Sequence, residues 1–333
     1  MNSFGRIFRI TLFGESHGTI IGITIDGVPA GIGLNLEDFT HDLSRRKAGE
    51  KGTTSRIEPD RPEIISGWFN NTTTGAPLTI IFRNTNTDST VYDQIKEIPR
   101  PGHADFVASK KFGHFNDYRG GGHFSGRLTL ALVAAGVIAK KMIPTINIQT
   151  EIINIRGNTS CFDETLDDAI SKNDSIGGTI ECRVRNIPVG WGEPFFDSVE
   201  SIISHLAFSI PGIKGIEFGA GFAATSMYGS QHNDIISDQN GTTVTNHAGG
   251  ISGGITNGNE LVFRVAVKPT ASIKKSQESY NFETNKTETF KLQGHHDTCI
   301  ALRIPVIIES ITAIALTDFS MLYKKLTVQH KGK

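Results

Sequence analysis

A chain of 333 residues with 20% charged and 38% hydrophobic side chains can build a globular core. Its net charge of −1 offers no overall field for a polyanion, so any anion site must be a local cluster of basic residues. The three cysteines, Cys161, Cys182 and Cys299, stand far apart without a C-x-x-C pair, which argues against a zinc site or disulfide framework and fits a reducing compartment. The N-terminal residues contain no apolar stretch of signal-peptide length, and no run approaches the ~20 uninterrupted apolar residues of a membrane span. A cytoplasmic protein is therefore expected.

Residues 6–13 and 19–26 read as strands joined by the turn Gly14-Glu15-Ser16-His17-Gly18. Asn35 reads as an N-cap. Leu36, Phe39 and Leu43 follow at helical spacing, with Glu37 and Asp38 in the first turn and Arg45-Arg46-Lys47 in the last, both suited to the helix dipole. Strands are expected at 62–69 and 77–83, and a polar loop from Asn84 to Pro101. Gly120-Gly121-Gly122 breaks the chain before a long helix at about 126–142, whose run from Leu128 to Ile143 contains Gly136 and closes on Lys140-Lys141. In the second half, strands are expected near 145–155, 179–186, 213–219 and 260–268, and a helix near 196–208. Residues 229–258 read as loop, and 274–292 as a polar, mobile segment. Pro305 suits the first turn of a helix to about Leu316. Strands and helices are interspersed with no internal repeat and no linker, which points to one unit of layered sheets and helices. There is neither a G-x-G-x-x-G after a strand nor a G-x-x-x-x-G-K-[ST], which disfavours a Rossmann site and a P-loop.

Six segments carry groups suited to chemistry. His17 stands on a turn among small residues, where it either reaches a ligand or decorates the surface. Arg45-Arg46-Lys47, with Lys51, Arg56 and Arg61, either grips phosphate and carboxylate groups or forms a solvated helix end. Arg100-Pro101-Gly102-His103-Ala104-Asp105 fixes a turn that presents His103. Arg119 and Arg127 bracket Gly120-Gly121-Gly122-His123-Phe124-Ser125-Gly126, where free backbone N–H groups can face an anion. Asn246 to Gly254, followed by Lys268 to Ser272, suggests backbone lying against something flat or bulky. His295-His296-Asp297 precedes Arg303. Adjacent histidines point in different directions and no partner motif exists, so a metal is not expected there.

In their order along the chain, these segments resemble the chorismate synthase family. The strings are GRIFRITLFGESHG from Gly5, DGVPAG from Asp26, DLSRRKAG from Asp42, EPDRPEIISG from Glu58, TTGAPLTIIFRN from Thr73, RPGHAD from Arg100, DYRGGGHFSGR from Asp117, SIPGIKGIEFGAGF from Ser209, TNHAGGISGGI from Thr245, VAVKPTASI from Val265 and HDTCIALR from His296. The resemblance runs from Gly5 to about Asp318. It implies an α+β fold, a layered β–α–β sandwich forming a single large domain over residues 1–333, and a homotetramer. It further implies an anti-1,4 elimination of phosphate from 5-enolpyruvylshikimate 3-phosphate to give chorismate. That reaction depends on reduced FMN without net redox change. NADPH would enter only indirectly, through flavin reduction by an external reductase.

By the same resemblance, His17 protonates the leaving phosphate, His103 protonates the reduced flavin, and Asp297 relays the proton from the substrate ring. Arg45, Arg46, Arg127 and Arg303 fall on substrate-binding positions, with Arg119 and Lys51 as additions. Flavin-binding positions fall on His123, Phe124 and Ser125, on Pro211 and Gly212, on Gly253, on Lys268, Pro269, Thr270, Ala271 and Ser272, and on His295. His295 stands where many members carry an arginine, so FMN affinity should fall as that imidazole loses its proton. His123-Phe124 likewise replaces Arg-Ser, a variant form of the family pattern. Two other classes compete: an FMN-binding protein without elimination chemistry, and an anion- or nucleic-acid-binding module using the 45–61 basic patch. The first would lack His17 or Asp297, and the second leaves both histidine turns without a purpose.

Overall fold

The computed structural model describes residues 2–56, 58–87, 89–292, 294 and 296–326. The alternation of Ile21, Ile23 and Ile25, all fully buried, sets one face of a strand at Ile20–Asp26 (β2) against the core. It pairs antiparallel with Arg9–Gly14 (β1) on one side and Leu78–Arg83 (β4) on the other, and β4 pairs with Glu63–Ser66 (β3). The second sheet is built from Asn147–Ile155 (β5), Gly178–Arg185 (β6), Ile213–Phe218 (β7) and Leu261–Val267 (β8). In it β6 pairs with β5 and β8, and β8 with β7, again all antiparallel. Numbered within each sheet, both follow the order first, second, fourth, third, and a two-residue strand Ser3–Phe4 extends the first sheet beside β1. Each four-strand set is followed by a long helix, so the sequence without a detectable repeat folds into two halves of the same topology.

The helices form the middle layer. Thr40–Arg46 (α1) follows a 3-10 turn at Leu36–Phe39, where the Asp38 carboxylate accepts from the Asn35 N–H at 2.8 Å, one half of a capping box. Asp105–Lys111 (α2) leads toward the glycine turn. Thr129–Met142 (α3) is buried on every side from Thr129 to Ala139 because it packs on the first sheet and on Pro305–Leu326 (α6), which backs the second. Such all-round burial explains why both helices read as apolar runs rather than amphipathic stripes. The window Pro305–Lys324 is long and apolar enough to cross a membrane, but 83% of it lies inside the fold, as expected of a core helix. Phe162–Ser171 (α4) and Val199–Ala207 (α5) complete the set, and α5 packs on α6 and β7.

Several expectations change. The 274–292 segment is a hairpin of Ser276–Asn281 (β9) and Lys286–Lys291 (β10), because cross-strand pairing and backbone bonds, such as the Phe282 N–H to the Glu97 carbonyl at 3.0 Å, add to the burial of its few apolar residues, Phe290 and Leu292. The C-terminal helix runs ten residues past Leu316, to Leu326, where buried Thr317 still donates to the Ala139 carbonyl. The 84–101 loop contains a helical turn at Thr90–Gln94. The 229–258 stretch contains another at Gly229–His232 and a small hairpin at Ile251–Thr256. Helices α2 and α4 were not expected. In α4, buried Leu166 and Ala169 are the core-facing positions of an otherwise acidic segment.

Candidate active site

A cavity of about 850 Å³ opens between the edge of the first sheet, the start of α3 and the loops that follow β8 and β10. Its floor is cationic. Arg46, only 2% exposed, donates from Nε to Thr129 Oγ1 at 3.0 Å and from Nη2 to the Gly126 carbonyl at 2.9 Å, while its Nη1 is buried without a hydrogen-bond partner. Arg127 donates from Nη1 to Asp60 and from Nε to Asn84 Oδ1 at 3.2 Å, and its Nη2 is likewise buried and unpartnered. Arg303 donates from Nε to the Arg46 carbonyl at 2.9 Å and pairs with Asp297 at 3.2 Å. Burial, then the charges of Arg303 and Arg127, make the Arg46 guanidinium costly to keep charged, and the nearby Asp60 carboxylate offsets only part of this. Unsatisfied buried donors on clustered guanidinium groups are what an anion site requires.

The histidines stand at the rim of this floor. His17 is 8% exposed; its Nδ1 lies 2.9 Å from Ser89 Oγ, its Nε2 lies 3.4 Å from Arg56 Nη1, and its ring meets Tyr92 edge-on. The glycine turn makes room for it, since a Cβ on Gly120 would sit 2.4 Å from the His17 ring. The positive φ angles of Gly120, Gly121 and Gly122 would strain any other residue there. His103 donates from Nδ1 to Asp105 Oδ1 at 2.6 Å, which leaves Nε2 facing Gly121 and the cavity. Burial lowers the His103 pKa, the Asp105 hydrogen bond opposes this, and the charges of Arg100 and Lys268 add to the lowering. The Asp105 carboxyl is held far below the usual range; burial opposes this, but hydrogen bonds from Arg100 and His103 prevail. Asp297 accepts from the Thr54 N–H at 2.8 Å.

Of the residues singled out in the sequence, Arg46, Arg127, Arg303, His103, Asp297, His123, Phe124, Ser125, Pro211, Gly212 and Lys268 through Ser272 line this cavity, and His17 lies directly behind Gly120 and Arg56 of its wall. His123 is oriented by the Gly14 carbonyl at 3.2 Å and by Asn2 Oδ1 at 3.0 Å. Four residues lie elsewhere. Arg45, next to Arg46 but rotated around α1, makes a two-pronged pair with Glu309 at 2.6 and 2.7 Å. Lys51 pairs with Asp167 of α4 at 2.8 Å, and Arg119 with Asp117 at 2.8 Å, so nearby carboxylates hold both off the cavity wall. Gly253 sits in the turn of the Ile251–Thr256 hairpin, away from the cavity. His295 lies outside the described residues.

Other wall residues were not assigned a role from sequence. Arg100 donates to Asp105 at 2.7 Å and to Ser272 Oγ at 3.0 Å, tying the His103 turn to the loop after β8. Arg56, Glu58, Asp60 and Tyr92 also contribute to the wall. Arg56 and Arg100 were visible as members of the basic patch and of the RPGHAD string. The carboxylates Glu58 and Asp60 gave only the EPD string as a signal.

The model of the chorismate synthase family matches residues 8–321. The chain belongs to the chorismate synthase family. A chorismate synthase of Chitinophaga pinensis is 60% identical over 326 residues, covering 98% of each chain, and one of Dehalococcoides mccartyi is 46% identical over 96% of each. A solved chorismate synthase structure superposes with a TM-score of 0.73 at 26% identity, covering 97% of this chain and 94% of the other. The β–α–β layering, with sheets outside and α3 and α6 between them, is thus shared with a solved member of the family.

Proposed function

We propose that this chain is a lyase that eliminates phosphate from 5-enolpyruvylshikimate 3-phosphate to form chorismate. The observation that carries the reading is the convergence of partnerless buried N–H groups of Arg46 and Arg127 with His17, His103 and Asp297 around one cavity. A phosphorylated ring with two carboxylates supplies the anionic oxygens those donors lack, through charge-assisted and partly bidentate bonds. Arg46, Arg127 and Arg303 are the substrate cations of this reading; Arg45, Lys51 and Arg119 are left out because carboxylates already hold them elsewhere.

The wall also fits a flavin mononucleotide. Thr270 Oγ1 is a buried hydroxyl without a hydrogen-bond partner, and Lys268 adds a cation whose pKa burial lowers. Lys268 to Ser272, Pro211, Gly212 and His123 to Ser125 would hold it, and the cavity lies at the large end of the ~300–1,000 Å³ range of small-molecule sites. When bound in reduced form, FMN supplies the electron density that helps phosphate depart, without net redox change. The chain's residues supply orientation and protons. His17 donates a proton to the departing phosphate. His103, its Nδ1–H fixed by Asp105, holds a proton at Nε2 on the flavin side. The Asp297 carboxylate, positioned by Thr54 and Arg303, accepts the ring proton. A cytoplasmic homotetramer, with FMN reduced by a separate NADPH-dependent reductase, completes the reading.

Anaerobic incubation with this substrate and chemically reduced FMN should give chorismate absorbance. His17→Ala and Asp297→Ala should each cost roughly 10²-fold or more in kcat while retaining the wild-type fold. Normal turnover by either variant would remove its assigned proton step. A wild-type chain that binds FMN without releasing phosphate would leave only the flavin-binding alternative.

A further inference from the structure

Asn84 stands just past the end of β4, and its side chain joins two parts of the candidate site without lining the cavity itself. Nδ2 donates to the Gly18 carbonyl at 2.8 Å and to the Glu15 carbonyl at 3.1 Å, the two ends of the turn that carries His17. Oδ1 accepts from Arg127 Nε at 3.2 Å. Only this setting of the amide works. Reversed, its oxygen would face two carbonyl oxygens and its NH2 group would face a guanidinium, which can only donate. The Asn84 backbone N–H donates to the Thr19 carbonyl at 3.1 Å, so the residue is itself fixed where β4 leaves β2.

We propose that Asn84 is a positioning residue, a single amide that sets the His17 turn against the Arg127 guanidinium and so fixes the distance between the proton donor and one of the cations that grip the substrate. The inference rests on the reading of this chain as a phosphate-eliminating lyase.

Both partners need such a hold. The turn is closed by the Gly18 N–H to the Glu15 carbonyl at 3.1 Å, and the Ser16 N–H ties it to the Gly122 carbonyl at 3.1 Å. Asn84 adds two bonds from the opposite element and so sets how far the turn can shift. Arg127 is gripped at Nη1 by Asp60 and at Nε by Asn84, which fixes the guanidinium plane and leaves the buried Nη2 for an anion. A neutral amide suits this place. Asp60 already sets one carboxylate against Arg127, and a second at position 84 would weaken the pull of Arg127 on an anionic substrate. A misplacement of ~1 Å between reacting groups can cost ~10²-fold in rate, so a residue that touches neither substrate nor cofactor can still govern turnover.

The test compares the full-length wild type with Asn84→Ala, Asn84→Asp and a control, Asn158→Ala, by steady-state kinetics, inorganic phosphate titration and histidine ring NMR. Asn158 also ties a loop through its amide, accepting from the Ser160 and Cys161 N–H groups at 3.0 Å and donating to Thr165 Oγ1 at 3.1 Å, but lies away from the cavity. Asn84→Ala should lower kcat at saturating substrate by ~10²-fold and shift the His17 ring signal, assigned by its loss in His17→Gln. Asn84→Asp keeps the shape and the acceptor for Arg127 but turns an acceptor toward the Glu15 and Gly18 carbonyls. Its kcat should fall at least as far, and its added charge should weaken phosphate binding about tenfold. Asn158→Ala should melt lower while keeping wild-type kcat, phosphate affinity and His17 signal. The proposal is overturned by a wild-type kcat or an unmoved His17 signal in Asn84→Ala, by Asn84→Asp lying closer to the wild type than Asn84→Ala, or by an equal loss in Asn158→Ala. Failure of the wild type to form chorismate would instead sink the activity reading. The ring signal and the phosphate titration, which need no turnover, would then decide whether Asn84 holds the turn and the guanidinium together.

Discussion

His103 shows how far a single side chain is set by its neighbours. Burial and the charges of Arg100 and Lys268 lower its pKa, and the Asp105 hydrogen bond at 2.6 Å is the contact that opposes them. Replacing that carboxylate by an amide removes the raising influence, so Asp105→Asn should lower the His103 pKa further. The protonated form required at Nε2 is then lost at a lower pH. The alkaline limb of the kcat–pH profile should therefore move toward acid. At a pH above both pKa values, each whole pH by which the limb moves costs about tenfold in rate. Histidine NMR should report the same displacement; an unmoved limb would show that His103 does not carry the essential proton. At this scale the sequence is legible only in part, for a physical reason. Arg45 and Arg46 are adjacent, but a helix turns about 100° per residue, so one meets Glu309 and the other the cavity. Nothing in a linear string states which way the helix faces. Arg119 could have been discounted, since its partner Asp117 lies two residues away, whereas Asp167, which holds Lys51, is brought near only by folding.

At the level of elements, the contact of α3 with α6 is a tight constraint. A Cβ on Gly136 would lie 2.4 Å from Ser310 Cβ and 2.6 Å from its Cα, so the two helix backbones touch here. Gly136→Ala gains up to ~1 kcal/mol of helix propensity and loses ~1–3 kcal/mol or more to overpacking. The variant should melt lower than the wild type in calorimetry. Adding Ser310→Gly should recover only part of the loss, because the Ser310 Cα remains in the way. A melting temperature at or above the wild type would show that the helices can separate freely. The existence of these two helices was legible because their apolar runs are long. The β9–β10 hairpin was not, because its strands are polar apart from Tyr280 and Phe290, and it is held by cross-strand pairing, by the Phe282 N–H to the Glu97 carbonyl and by the Ser279 hydroxyl to the Pro99 carbonyl. Helix α4 was hidden by its acidic surface, with Leu166 and Ala169 as its main inward anchors.

Taken whole, the molecule is two like-wound sheets with their helices pressed together, and one buried polar cluster crosses the seam. Glu309 of α6 accepts from Arg45 of α1 and Thr150 of β5 at 2.6–2.7 Å, and from Lys140 of α3 at 3.2 Å; Lys140 also pairs with Asp42 at 2.7 Å. The duplicated topology that this cluster ties together left no trace in the sequence, since alternating apolar residues satisfy the same strand order with unrelated side chains. Burial alone would raise the Glu309 pKa, but the hydrogen bond from Arg45, the charge of Lys140 and the Thr150 hydroxyl hold it below its ordinary value. A carboxyl depressed on folding stabilises the native state above its unfolded pKa, near 4.3, and that stabilisation is lost as pH falls through the lower folded value. Glu309→Gln removes the charge at every pH and leaves two cations without it, one-third exposed or slightly less. Solvent softens the penalty below that of a fully buried pair, to ~1–3 kcal/mol at pH 7. The gap between wild type and variant in urea unfolding should be widest near neutrality and close as pH drops below about 4. A gap that stayed constant across that range would mean that Glu309 stabilises the seam by its shape and hydrogen bonds rather than by its charge.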